Sequence, residues 1–191
     1  MRLEPIEKPS GLLMRIAYWL SRRQLGRVMS SLTVIYARAP ALAWPGAWIV
    51  RTLERGLSLE PELRLLVTTQ SSLLNGCTFC ADLHMAQAVQ ARIGLEKFKA
   101  LPDFETSPLF SERQRAVLAY TAEVTRRRSA SDASFETLRK HCNEKEIVEI
   151  TWLNAIGNVF NLMAVPLQLE SDDFTALALR RVQKGSASLG A

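Results

Sequence analysis

The stretch Asn75-Gly76-Cys77-Thr78-Phe79-Cys80-Ala81-Asp82-Leu83-His84 decides how this 191-residue chain is read. Asn-Gly punctuates a chain as a turn, so it parts the leucine-rich run before it from a new helix that Cys77 opens. On a helix, residues three and four apart are neighbours. Cys80 then sits beside Cys77 on one side and His84 on the other, and all three share one face. A helix amino end adds free N–H groups and the positive pole of the dipole, which favour a thiolate and lower a thiol pKa. One short span thus supplies a nucleophile, a resolving thiol and a nitrogen base.

Outward from this motif, apolar residues recur three and four apart, and alternating strand-like runs are missing. The fold class implied is all-α, a single-domain helical bundle. Pro61 suits the first turn of a helix reaching Leu74, because proline there gives up no hydrogen bond. Earlier helices are expected over residues 11–29 and 40–55, the second stopped by Gly56. The motif's own helix should reach about residue 93, with Gly94 as cap. Residues 101–108 contain Pro102 and Pro108 and read as a connector. Ser111 with Gln114, and Asn143 with Glu146, have the form of capping boxes. The first opens a helix to about residue 128. The second opens the longest apolar helix, which ends near residue 165 before Pro166, and a shorter helix is expected between the two over residues 134–141. The organisation expected is a lead-in with one helix over residues 1–26, a main domain over 27–183, and a frayed polar tail over 184–191.

A formal charge of +5 and a pI near 9.4 permit nucleic-acid binding without specifying it. The basic residues share no face with aromatics and no reading motif, so no nucleic-acid partner is expected. The densest run, Arg126-Arg127-Arg128, reads as cations complementing a helix carboxyl end. Residues 1–10 hold Glu4, Pro5, Glu7 and Pro9, unlike a secretory signal. The apolar stretch 32–50 is broken by Arg38, Pro40 and Pro45, unlike a membrane span. A soluble, cytoplasmic protein with no membrane partner is expected, its first amphipathic helix packed on the body. Three cysteines make no disulfide framework, and in a reducing compartment a C-x-x-C pair is more often catalytic or metal-binding.

Three readings of the cysteine–histidine face stay open at this point. Cys77 and Cys80 can be buried small hydrophobes with His84 a satisfied core histidine. They can supply two zinc ligands, completed by His84, His141 or Cys142, although a helical pair is a poor zinc knuckle. Or they can carry thiol redox chemistry, for which C-x-x-C is the usual dithiol spacing. His141 and Cys142 lie near a helix carboxyl end and read as structural, with Cys142 outside the redox pair.

Cys-x-x-Cys-x-x-x-His after Asn-Gly, behind a leucine-rich helix, resembles the AhpD-like alkylhydroperoxidase and carboxymuconolactone decarboxylase superfamily. The resemblance extends to Ala39-Pro40-Ala41-Leu42, to Leu109-Phe110-Ser111-Glu112-Arg113 and to Glu146-Ile147-Val148-Glu149, and covers residues 27–165. It implies an all-α fold, a homo-oligomer, and reduction of a hydroperoxide substrate by a thiol pair that becomes a disulfide. A dithiol or a lipoylated protein would then re-reduce the pair. By position Cys80 would attack the peroxide, Cys77 would resolve, and His84 would belong to a proton relay. No metal or organic cofactor is required. The rival is a non-catalytic helical protein that senses redox state or binds a partner. A carboxymuconolactone decarboxylase-like lyase is the lesser branch, since those enzymes lack the cysteine pair.

Two features complete the reading. The family's relay normally includes a glutamate where this chain has Leu65; Glu62, three residues earlier, either substitutes for it or is an ordinary acid in a helix first turn. In the last long helix Thr151, Asn154, Asn158 and Asn161 form an uncharged polar stripe, with Val148, Trp152, Ile156, Val159, Phe160 and Met163 on other faces. Buried amides need partners. The stripe is therefore expected to line a subunit contact or the cavity over the thiols, rather than to be a solvated face.

Overall fold

The computed structural model describes residues 1–188, and their side chains except at 53–55 and 185–188. Among the described residues the regular structure is helical: α1 (Leu12–Leu25), a π turn (Leu32–Tyr36), a 3-10 turn (Pro40–Leu42), α2 (Ala43–Arg55), α3 (Pro61–Leu74), α4 (Thr78–Gln90), α5 (Glu96–Lys99), a second 3-10 turn (Leu101–Asp103), α6 (Glu112–Arg127), α7 (Asp132–Arg139), α8 (Glu144–Ala164) and α9 (Phe174–Ser188).

The hub is α3, which packs against α4, α6 and α8. Its first half buries Leu63, Leu66 and Val67 completely. Its second half, Thr68-Thr69-Gln70-Ser71-Ser72, is polar yet equally buried. Thr68, Ser71 and Ser72 turn their hydroxyls back onto carbonyls one turn earlier, at 3.1, 2.9 and 2.7 Å, which makes short hydroxyl side chains tolerable inside a core. Gly76 reverses the chain between α3 and α4 at φ 69°, a left-handed conformation that glycine adopts without strain. Both capping boxes form, at Ser111 with Gln114 and at Asn143 with Glu146.

Some boundaries differ from expectation, each for a local reason. Gly26, at φ 93°, stops α1 four residues early. Arg92, at φ 59°, follows the end of α4, so that helix stops at Gln90 and not near residue 93. The tail expected from residue 184 is helical to residue 188, because α9 continues through it; residues 189–191 lie outside the described residues. The start of α9 is fixed from a distance. The buried Asp82 carboxylate on α4 accepts the Phe174 and Thr175 N–H groups at 2.8 and 2.9 Å, capping α9 from another helix.

By length and apolarity α8 would also suffice to cross a membrane. Here it is a core helix, half buried against α3 and α6. In α2 no described residue is buried, and Trp44 is 76% exposed.

Candidate active site

Cys77 and Cys80 are joined as a disulfide, with Cα atoms 5.3 Å apart. Asn75-Gly76 ends α3, the Cys77 N–H returns to the Ser72 carbonyl at 2.8 Å, and Cys77 becomes the N-cap of α4. Its sulfur accepts the Cys80 N–H at 3.2 Å, which satisfies one of the orphan donors that open α4. The two cysteines are 2% and 5% exposed. They pack in one apolar cluster with Val34, Ile35, Phe79, Ala164, Phe174 and Ala178. α9 and the π turn therefore wall the disulfide, which no reading of residues 75–84 alone foresees.

His84 lies one helical turn beyond Cys80 on α4. Part of the residue stays accessible, but desolvation of the ring by the surrounding protein pushes its pKa down to about 4. The imidazole is thus neutral at pH 7 beside the oxidised pair. Its Nδ1 faces Ser72 Oγ on α3 at 3.5 Å. Ser72 Oγ also contacts the Asn161 amide of α8 at 3.2 Å.

That contact reveals what the amide stripe does. Asn154 and Asn161 are 0% and 1% exposed. Asn154 Oδ1 accepts from Ser71 Oγ and Thr125 Oγ1, both at 2.9 Å, and Asn75 Nδ2 donates to Asn158 Oδ1 at 2.8 Å. Thr151 pairs with the Tyr120 hydroxyl at 2.8 Å. The stripe is an internal seam binding α8 to α3 and α6. Its asparagines are not a solvated face, whereas Thr151 at its start is exposed, and its Asn161 end reaches the histidine through Ser72. Sequence periodicity isolated the amides, but Ser72 went unnoticed because its twelve-residue separation from His84 has no local signature.

The remaining candidates fall elsewhere. Glu62 Oε2 accepts from Lys97 Nζ and Gln114 Nε2, both at 2.9 Å, which ties α3 to α5 and α6 and leaves the carboxylate engaged away from His84. Leu65 packs with Met85 and Ile93 against another apolar cluster. Cys142 is a free, buried thiol in a third cluster, and burial raises its pKa. It is thus kept apart from the disulfide pair. Arg126 and Arg127 occupy the last turn of α6, and Arg128 is its left-handed cap. Among the described residues no group of three or more His, Cys, Asp or Glu side chains is placed to hold a metal ion.

The sequence profile of the carboxymuconolactone decarboxylase family matches residues 46–123. The uncharacterized protein YnjA of Escherichia coli K12 is 32% identical over 175 residues, covering 88% of this chain and 94% of YnjA. A solved structure from Agrobacterium tumefaciens, a protein of unknown function suggested to be the antioxidant defence protein AhpD, is 28% identical. It superposes with a TM-score of 0.68, covering 72% of this chain and 96% of its own. The debrominase Bmp8, solved as a cysteine-to-alanine variant in complex with 2,3,4-tribromopyrrole, superposes with a TM-score of 0.78 over 95% of this chain and 97% of its own, at 18% identity.

Proposed function

The chain belongs to the carboxymuconolactone decarboxylase superfamily, in its AhpD-like form, and from that premise we propose that it is a thiol-dependent peroxidase using Cys77 and Cys80. The observation that carries the reading is the bonded sulfur pair at the amino end of α4, one turn from a neutral imidazole.

In the reduced protein, His84 accepts the Cys80 thiol proton, and the thiolate attacks one oxygen of a hydroperoxide. A sulfur lone pair forms the S–O bond, the O–O bond breaks with its electron pair leaving on the departing oxygen, and that alkoxide takes a proton to become an alcohol. Cys80 becomes a sulfenic acid. Cys77, whose sulfur the Cys80 N–H favours as thiolate, displaces the hydroxyl: an S–S bond forms, the S–O bond breaks and water leaves. An external dithiol or lipoylated protein reduces the disulfide by exchange and is itself oxidised. An imidazole with a pKa near 4 is a weak base, but a thiolate formed beside it raises that value through their attraction.

A homo-oligomer belongs to the proposal. On the outward side of α8, Val148, Val159 and Leu162 are 68, 50 and 60% exposed, an apolar surface that a second copy would bury.

The test is consumption of cumene hydroperoxide with dihydrolipoamide as reductant. Wild type turns over, while Cys80→Ser and Cys77→Ser do not. If both single variants match wild type, the cysteines are not the catalysts. Tribromopyrrole serves as a second electrophile, because a debrominase shares the fold. Dithiol-dependent turnover of it without peroxide turnover would keep the thiol chemistry and replace the substrate.

A further inference from the structure

The buried Ser72 hydroxyl stands where α3, α4 and α8 meet, and its single hydrogen decides its role. Ser72 is fully buried. Its Oγ lies 2.7 Å from the Thr68 carbonyl, 3.2 Å from the Asn161 amide and 3.5 Å from His84 Nδ1. A hydroxyl has one hydrogen to give and two lone pairs to offer. The Thr68 carbonyl can only accept, and it is the nearest of the three, so it takes the hydrogen. Ser72 Oγ must then present lone pairs to the other two neighbours.

Two consequences follow. Asn161 satisfies this arrangement when its NH2, not its carbonyl oxygen, faces Ser72. With the oxygen facing Ser72, Asn161 Nδ2 is a buried donor without a partner. Turning the amide over gives that donor an acceptor and leaves a bare carbonyl oxygen, the milder defect. His84 satisfies the arrangement when Nδ1 carries the proton.

We propose that Ser72 is a positioning residue that holds His84 in its Nδ1–H tautomer, leaving Nε2 as the lone pair that takes the thiol proton. This rests on the thiol-peroxidase reading of the site. A base oriented by a hydrogen bond from its other nitrogen is the general device for fixing an imidazole tautomer. The 3.5 Å contact is at the outer edge of hydrogen-bond range in the neutral, disulfide state. Once Nε2 takes a proton the ring is cationic, and its Nδ1–H becomes a charge-assisted donor that draws the two groups together. Ser72 thereby stabilises the imidazolium without adding a fixed charge to an apolar site. It does so from the same helix that carries Leu65 in the place of the family's glutamate.

The chain has only two histidines, His84 and His141, so their ring nitrogens are separable by 15N NMR. Reduced and oxidised wild type are both compared with Ser72→Ala, using His141→Gln to assign the signals. The expected result is an Nδ1–H signature for His84 in wild type and a mixture of tautomers in Ser72→Ala. In peroxide turnover, Ser72→Ala loses about tenfold in kcat, the scale of one neutral hydrogen bond, with KM unchanged. The limb of its kcat/KM profile that His84 sets moves to lower pH, because a less stabilised imidazolium gives up its proton more readily. An Nε2–H tautomer in wild type overturns the proposal, as do an unchanged tautomer and pH profile in Ser72→Ala. The wild-type tautomer decides even if Ser72→Ala fails to fold. It also decides if wild type consumes no peroxide, an outcome that removes the enzymatic reading separately.

Discussion

The two ends of α3 solve opposite problems. At the amino end, half-exposed carboxylates meet cations: Glu62 with Lys97 at 2.9 Å and Glu60 with Arg113 at 3.6 Å. At the carboxyl end, against the disulfide, the polar groups are uncharged: Ser71, Ser72 and Asn75 meet the amides of α8 and the neutral His84. Along α3 charges stand where water can still solvate them, since an unpaired buried ion costs several kcal/mol. The buried Asp82 of α4 is held instead by the N–H groups of α9. Near the sulfurs, burial leaves room only for groups whose hydrogen bonds close locally. The difference teaches that α3 meets His84 with a hydroxyl and commits its carboxylate to Lys97 and Gln114. In the proposed cycle the electrostatics at the sulfurs come from the Cys80 N–H at the start of α4 and from an imidazole charged only while it holds the thiol proton.

The contrast can be broken most severely at the sulfurs. Cys80→Ser is expected to lower dithiol-dependent peroxide turnover by about a thousandfold or more, since a hydroxyl replaces the attacking thiolate. A stopped-time peroxide assay reads it. Carrying a charge one turn further along α3 from Glu62 comes next. Leu65→Glu, at the family's glutamate position, is expected to raise kcat/KM about tenfold by supplying the relay's acid. It should also cost about 2 kcal/mol of stability for a half-buried carboxylate, read in a denaturant titration.

Titrating the neutral histidine tests the same contrast by pH. His84 binds a proton near pH 6.5 when unfolded and near 4 when folded, so between these values the unfolded chain holds more protons. Stability of the oxidised protein should therefore fall as pH drops from about 6.5 to about 4 and stay flat above that window. The loss attributable to His84 reaches about 3 kcal/mol, and His84→Gln should remove that slope. The smallest effect belongs to the charged end. Glu62→Gln should leave turnover within about twofold and cost about 0.5 to 1 kcal/mol, as a partly exposed ion pair does.

Much of this was legible locally. Pro61, Asn75-Gly76 and the two capping boxes fix helix starts and stops through contacts within four residues, and those elements stand where the pattern puts them. The C-x-x-C-x-x-x-H spacing places the sulfurs and imidazole on consecutive turns by helix geometry alone. What stayed hidden is non-local. Asp82 caps α9 across a gap of some ninety residues, and Phe174 closes over the disulfide from the same distance. Ser72 reads as one more small residue until α4 and α8 are packed against it. Glu62 reads equally well as relay acid or first-turn acid until Lys97 and Gln114 claim it.

The most direct measurement gives fully reduced protein one equivalent of cumene hydroperoxide and follows thiols and products together. One equivalent of alcohol should form while Cys77 and Cys80 lose two hydrogens to a single disulfide, and Cys142 should remain alkylatable after unfolding. Intact peroxide with all three thiols still free would contradict peroxide reduction by the pair.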